Sequence, residues 1–184
     1  MRANTIAAKQ SRESAGTEEP MAILNIVSYP ASVLNTVGEA VERFDEALEK
    51  LVADMFETMY AAHGVGLAAP QVGLSLQLFT MDCEGTKIVA ANPSILSAEG
   101  EQGGDEACLS VGSIGAPLRR PERVLLRAQD MRGESFEIEG RGLTARCLLH
   151  ETDHCNGLLF IDHLSPLKRD MVKRKFRKVM KRER

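Results

Sequence analysis

The stretch LLHETDHCNGLLF, residues 148–160, holds two of the chain's four histidines, a glutamate and an aspartate among apolar residues. With the residues before it, GLTARCLLHETDHCNG reads as a helix over 142–157, stopped by Asn156-Gly157. On a helix His150 and His154, four apart, lie one turn from each other on one face. Two imidazoles so placed can hold a single metal ion, and the neighbouring Glu151 can reach a water there without being a ligand, the HExxH arrangement. Asp153 is expected to orient a ligand imidazole from behind. The bland reading is a polar helix face with paired histidines. Polar groups set against a core must in either case be hydrogen-bonded or bound to something.

Working outward, residues 22–27, AILNIV, read as a strand. FDEALEKLVADMFETMYAAHG (44–64) is an amphipathic helix: Phe44, Leu48, Leu51, Val52, Met55, Phe56 and Met59 recur three or four apart, and Gly64 stands where a helix-ending glycine would. GVGLAAPQVG follows as a loop. It lacks the GK[ST] ending of a phosphate loop, and its glycines suit close approach of a substrate backbone. Strands are expected over 76–83, 87–96, 123–130 and 135–140, with an irregular, glycine-rich segment between Glu99 and Glu122. Ser165 caps a last helix whose first residue is Pro166. This is an α+β pattern: mixed or antiparallel sheets around a central helix carrying HExxH, with a C-terminal helix.

At 184 residues the chain suits one domain with a substantial core. Residues 1–20 have no apolar stretch of the secretory kind and read as a flexible polar leader, with 21–184 the folded unit. No apolar run approaches a bilayer's thickness. Cys83, Cys108, Cys147 and Cys155 show no CxxC spacing and read as reduced thiols. Residues 168–184 carry ten Lys or Arg against two acids, a net +8; the whole chain carries −3, so the remainder carries −11. A basic tail on an acidic body points to a polyanionic partner.

A catalytic metal needs a third protein ligand and an open position. The extended zincin pattern fails: Gly157 is in place, but Phe160 stands where its third histidine belongs, and His163 comes three residues late. The best upstream candidate is Cys108 in EACLS. Cys147, three residues before His150, competes and is read as lining the site.

Three segments now stand in order: GVGLAAPQ (64–71), EACLS (106–110) and HETDH (150–154). Together they resemble the peptide deformylases, and RPERV (120–124) and FIDHLSPLKR (160–169) extend the likeness. The resemblance implies a cytoplasmic hydrolase that removes the formyl group from the N-terminal methionine of nascent polypeptides. Cys108, His150 and His154 would bind iron(II), with zinc or another divalent metal able to substitute, and Glu151 would be the general acid/base. Gln71 and the backbone N–H of Leu109 would stabilise the oxyanion. Val65 and Gly66 would bind the substrate backbone, and Leu143, Arg146 and Cys147 would line the methionine pocket. The basic helix over 165–184 would contact the ribosome, with no membrane and no sequence-specific nucleic acid as partner.

The sequence also departs from the family pattern. Ala107 replaces a glycine, Gly112 stands where proline is usual, and Arg146 stands where an apolar residue is common. These bear on efficiency and substrate preference. The competing functions are an impaired deformylase-like binding protein, another zincin-type metallopeptidase, and a structural zinc site. Structural sites are usually closed by four protein ligands, and only three good ones can be counted here.

Overall fold

The computed structural model describes residues 22–112 and 114–182; the leader read over 1–20 lies outside them. In chain order the elements are α1 (Glu46–Ala61), β1 (Gly66–Ala68), β2 (Leu78–Cys83), β3 (Thr86–Glu99), β4 (Gln102–Glu106), β5 (Ala116–Arg120), β6 (Arg123–Gln129), β7 (Ser135–Arg141), α2 (Gly142–Cys155) and α3 (Pro166–Arg182). Strands β1-β2-β3-β6-β7 form an antiparallel five-stranded sheet in that order, and β4 pairs with β5 in a second, two-stranded sheet.

Strand β2 sits between two helical layers, and its period-2 alternation divides it between them. Phe79, Met81 and Cys83 pack with Ala68, Leu148 and Cys155 on the α2 side. Leu78 packs with Leu67, Val52, Met55 and Met59 on the α1 side. Both faces are therefore dry, which is why this strand reads as an apolar run. A third cluster joins Val172 and Phe176 of α3 to Leu118, Leu159 and Phe160, so α3 docks by its apolar face and leaves Arg174, Lys175, Lys178 and Lys181 exposed.

Caps explain where the helices stop and start. Asp45 accepts from the Leu48 N–H at the head of α1. At its foot the left-handed residue is His63 (φ 55), not Gly64. The Gly64 N–H reaches back to the Met59 carbonyl and the His63 N–H to Tyr60, a Schellman arrangement that places the glycine one position later than expected. The Glu84 carboxylate caps α2 through the Thr144 N–H and hydroxyl, favoured by the helix dipole. Gly157 (φ 71) turns the chain out of α2. A Cβ there would lie 2.8 Å from the Thr36 carbonyl carbon, so only glycine fits.

Three local expectations change. Residues 22–27 form no strand, because their N–H groups find side chains and loops: Ala22 donates to Asp54, Leu24 to Thr58 and Val27 to the Gln71 carbonyl. The irregular segment between Glu99 and Glu122 contains the β4–β5 pair, whose glycines hid the strand pattern. The loop after Gly64 contains the short edge strand β1.

Candidate metal centre

Helix α2 presents Leu143, Arg146, Cys147, His150 and Glu151 to a cavity of about 510 Å³. These positions recur at helical spacing, one continuous face. The opposite wall comes from Val65, Gly66 and Gln71, and from the segment running from Asp105 through Leu109 to Gly112. Of the residues expected at the site all but His154 and Asp153 line this cavity, and His154 is 1% exposed.

The donor atoms of Cys108, His150 and His154 all lie within 4.8 Å of one another, and Cys108 Sγ is 3.2 Å from His154 Nε2. Tetrahedral bonds of about 2.3 Å to sulfur and 2.0–2.1 Å to nitrogen place donors roughly 3.3–3.6 Å apart. The triad therefore fits a metal ion, and a thiolate with two imidazoles suits a borderline-soft one. Glu106 Oε1 accepts from His150 Nδ1 at 2.8 Å, leaving Nε2 as the lone-pair nitrogen of the neutral ring.

Asp153 does not take that orienting role. It accepts from Arg120 at 2.7 Å and from His163 at 2.8 Å, facing away from the imidazoles. Glu106 was not foreseen; its only sequence signal is a carboxylate two residues before Cys108. It is 5% exposed and also accepts from Arg120 (Nε 3.1 Å, Nη2 2.7 Å) and from Arg146 (Nη1 2.9 Å). Burial resists its ionisation, but the hydrogen bonds from His150 and Arg120 prevail and hold it below the usual carboxylate range.

The same contest decides the triad. Burial opposes charge on Cys108, yet His154 and His150 outweigh it and hold the thiol well below its ordinary value. Burial likewise opposes charge on His150, and Cys108 and Glu106 raise it. Glu151 goes the other way: burial lifts its carboxyl to about 7, the two imidazoles pulling back. Its Oε2 and His154 Nδ1 are buried without a hydrogen-bond partner among the described residues.

Gln71 is oriented by the backbone. Its Oε1 accepts from the Ala68 N–H at 2.8 Å, which turns Nε2 toward Cys108 Sγ at 3.5 Å. Leu109 opens the short 3-10 turn Leu109–Val111 after Cys108, where helical N–H groups lack intrahelical partners. Gly112 has φ 68, a conformation closed to the proline that is usual at this position.

The family model described as polypeptide deformylase matches residues 23–170 of this chain. The chain belongs to the peptide deformylase family. The family is one of metal-dependent amidohydrolases acting on formylated nascent peptides. The peptide deformylase of Acidobacterium capsulatum is 46% identical over 166 residues, 88% of this chain and 98% of that one. That of Acinetobacter baumannii is 47% identical over 165 residues, 88% and 94% of the two chains. Among solved structures, the Legionella pneumophila peptide deformylase superposes with a TM-score of 0.84 at 48% identity, covering 88% of this chain and 98% of that one. The Ehrlichia chaffeensis peptide deformylase in complex with actinonin superposes with a TM-score of 0.83 at 38% identity, covering 89% and 99%. The α+β deformylase fold expected from the sequence is the fold observed.

Deformylase membership does not erase this chain's own features. Arg146 lines the cavity, and its guanidinium is engaged: Nη1 donates to Glu106, and both terminal nitrogens approach the Leu118 carbonyl at 3.3 Å. Ala107 also lines the cavity.

Proposed function

We propose that this chain hydrolyses the formamide of N-formylmethionyl nascent peptides, with a divalent metal held by Cys108, His150 and His154. The observation that carries the reading is one buried cluster: the donor triad, Glu151 beside it, and a Gln71 amide turned inward. Bound there, the ion supplies a Lewis acid and makes water nucleophilic near neutral pH. Iron(II) is the metal proposed, with zinc able to substitute.

Every other step belongs to the protein. A carboxyl raised to about 7 can take a proton from the attacking water and return it to the leaving amine at the same pH. Gln71 Nε2 and the Leu109 N–H are neutral donors, prepositioned for the oxyanion. Strand β1 lies at the sheet edge with β2 as its one partner among the described residues, so Val65 and Gly66 can accept an extended peptide as an added strand. Leu143, Cys147 and Arg146 then line the pocket for the methionine side chain.

Residues 21–184 are read as one catalytic unit acting in the cytoplasm; the family match over 23–170 supports the first, and the substrate class supports the second. No helix among the described residues is long and apolar enough to cross a membrane. The exposed basic face of α3 is proposed to contact the ribosome. Charge reversal at Arg174, Lys178 and Lys181 leaves the buried Val172 and Phe176 in place and should weaken co-sedimentation with ribosomes; unchanged binding refutes the contact.

The deciding experiment is formate release from a formyl-Met tripeptide by anaerobically purified, iron-loaded full chain, beside Glu151→Ala. Release lost in the variant supports the reading. No release from the wild-type protein with about one metal per chain refutes it.

A further inference from the structure

The triad is assembled from two segments that are remote in sequence. His150 and His154 ride on α2, whereas Cys108 follows β4. Something other than the metal must hold these segments at donor distance, or each binding event would have to order them. Glu106 sits at this junction, two residues before Cys108, with its carboxylate facing α2.

Both oxygens of that carboxylate take a bond from α2. Oε1 accepts from His150 Nδ1 at 2.8 Å, and Oε2 accepts from Arg146 Nη1 at 2.9 Å. Arg146 and His150 are one helical turn apart on the same face. The carboxylate thus spans a full turn of α2. Arg146 also reaches the Leu118 carbonyl, tying α2 to β5 as well as to β4. Arg120 acts from the other direction: it grips Glu106 within the β4–β5 sheet and reaches Asp153 of α2. The two arginines are crossed struts, and both are 6% exposed.

We infer that Arg146 is a positioning residue of the metal site: by joining Glu106 and Leu118 to α2 it sets the spacing between Cys108 and the histidine pair. This rests on the reading of Cys108, His150 and His154 as metal ligands. It gives Arg146 a task beyond lining the pocket. A guanidinium suits it, since its planar fork serves two acceptors at once, and a lysine would hold Glu106 without the fork to Leu118. Loss of an outer partner of a metal ligand typically weakens metal binding about 10- to 100-fold.

The test uses the full chain and its Arg146→Met and Arg146→Lys variants. Zinc affinity is measured by competition with a chromophoric chelator. The visible bands of the cobalt(II) form report ligand geometry, and the melting temperature of the metal-free protein reports fold. The expected result is a dissociation constant raised about 10-fold in Arg146→Met, the lower end of that range because Arg146 reaches His150 only through Glu106, with shifted cobalt bands, and a smaller rise in Arg146→Lys. A lowered melting temperature with zinc affinity and cobalt bands unmoved means a merely structural arginine and overturns the inference. If Arg146→Met fails to fold, Arg146→Lys decides by the same two readouts. Formate release by the wild-type protein is a separate arm, so failure of the deformylase reading leaves the metal result standing. Absence of zinc binding by the wild-type protein overturns the ligand assignment and this inference together.

Discussion

Gly66 offers the sharpest test of how closely the site is built. A Cβ at this position would lie 2.8 Å from Glu151 Cδ and 2.9 Å from its Cγ. Carbon atoms pack at about 3.5–4.0 Å, so Gly66→Ala demands that the carboxylate retreat by roughly 0.6–1.2 Å. Glu151 is a long side chain, so the fold can accommodate this at a cost of about 1–3 kcal/mol. Catalysis cannot, because a displacement of about 1 Å costs on the order of 100-fold in rate, equivalent to about 2.7 kcal/mol of barrier. The expected phenotype is a folded protein with the wild-type metal content and kcat on formyl-Met peptide reduced about 100-fold. Gly103→Ala is the matched control, since nothing lies within 4 Å of its new Cβ. A Gly66→Ala enzyme within threefold of wild-type kcat would refute the packing of Glu151 against β1 as a requirement for turnover.

Three further outcomes are expected. Glu151→Gln keeps the shape but not the proton exchange, so turnover should fall about 100- to 10,000-fold while metal content, measured by elemental analysis, stays near wild type. Glu106 has a folded value below the ordinary 4.5, so its contribution is present above that pH and lost as the pH falls through the folded value. Glu106→Gln should therefore unfold at lower denaturant at pH 7, with a smaller further loss on acidification than wild type; equal acid dependence in the two proteins would count against the assigned charge state. Phe176 is 4% exposed and stacks edge-on against Tyr29 with ring centroids 6.0 Å apart. Its replacement by Ala should cost about 3–5 kcal/mol, a melting shift of roughly 6–20 °C, and a shift below 2 °C would mean that α3 is not docked.

The helix carrying the site was legible because its signals are local. The His150–His154 spacing, the Asn156-Gly157 stop and the apolar stripe of α1 all act within a few residues of themselves. The third donor was legible for a different reason: after His154 the chain offers no suitable histidine or acid, and three ordered motifs pointed to Cys108. Where the sequence misled, the deciding partner was distant. Residues 22–27 look like a strand, but the Asp54 and Thr58 side chains capture their N–H groups. Residues 102–106 look irregular, but pairing with β5 makes them a strand. Asp153, adjacent to the histidine pair in sequence, turns to Arg120 and His163, and the orienting carboxylate comes from Glu106, 44 residues before His150.

By itself the sequence determined the chemistry available: which donors exist, which base stands beside them, and which segments are helical, because periodicity and capping are properties of neighbouring residues. Only the tertiary structure decided which groups face the site and in what state. Burial lifts Glu151 to about 7, and two imidazoles hold the Cys108 thiol well below its ordinary value against that same burial. Arg146, read from the sequence as pocket lining, closes a carboxylate bridge between α2 and the Cys108 segment. Dielectric environment and long-range pairing depend on the positions of groups far apart in the chain, so they arise only when the helix and the two sheets are packed together.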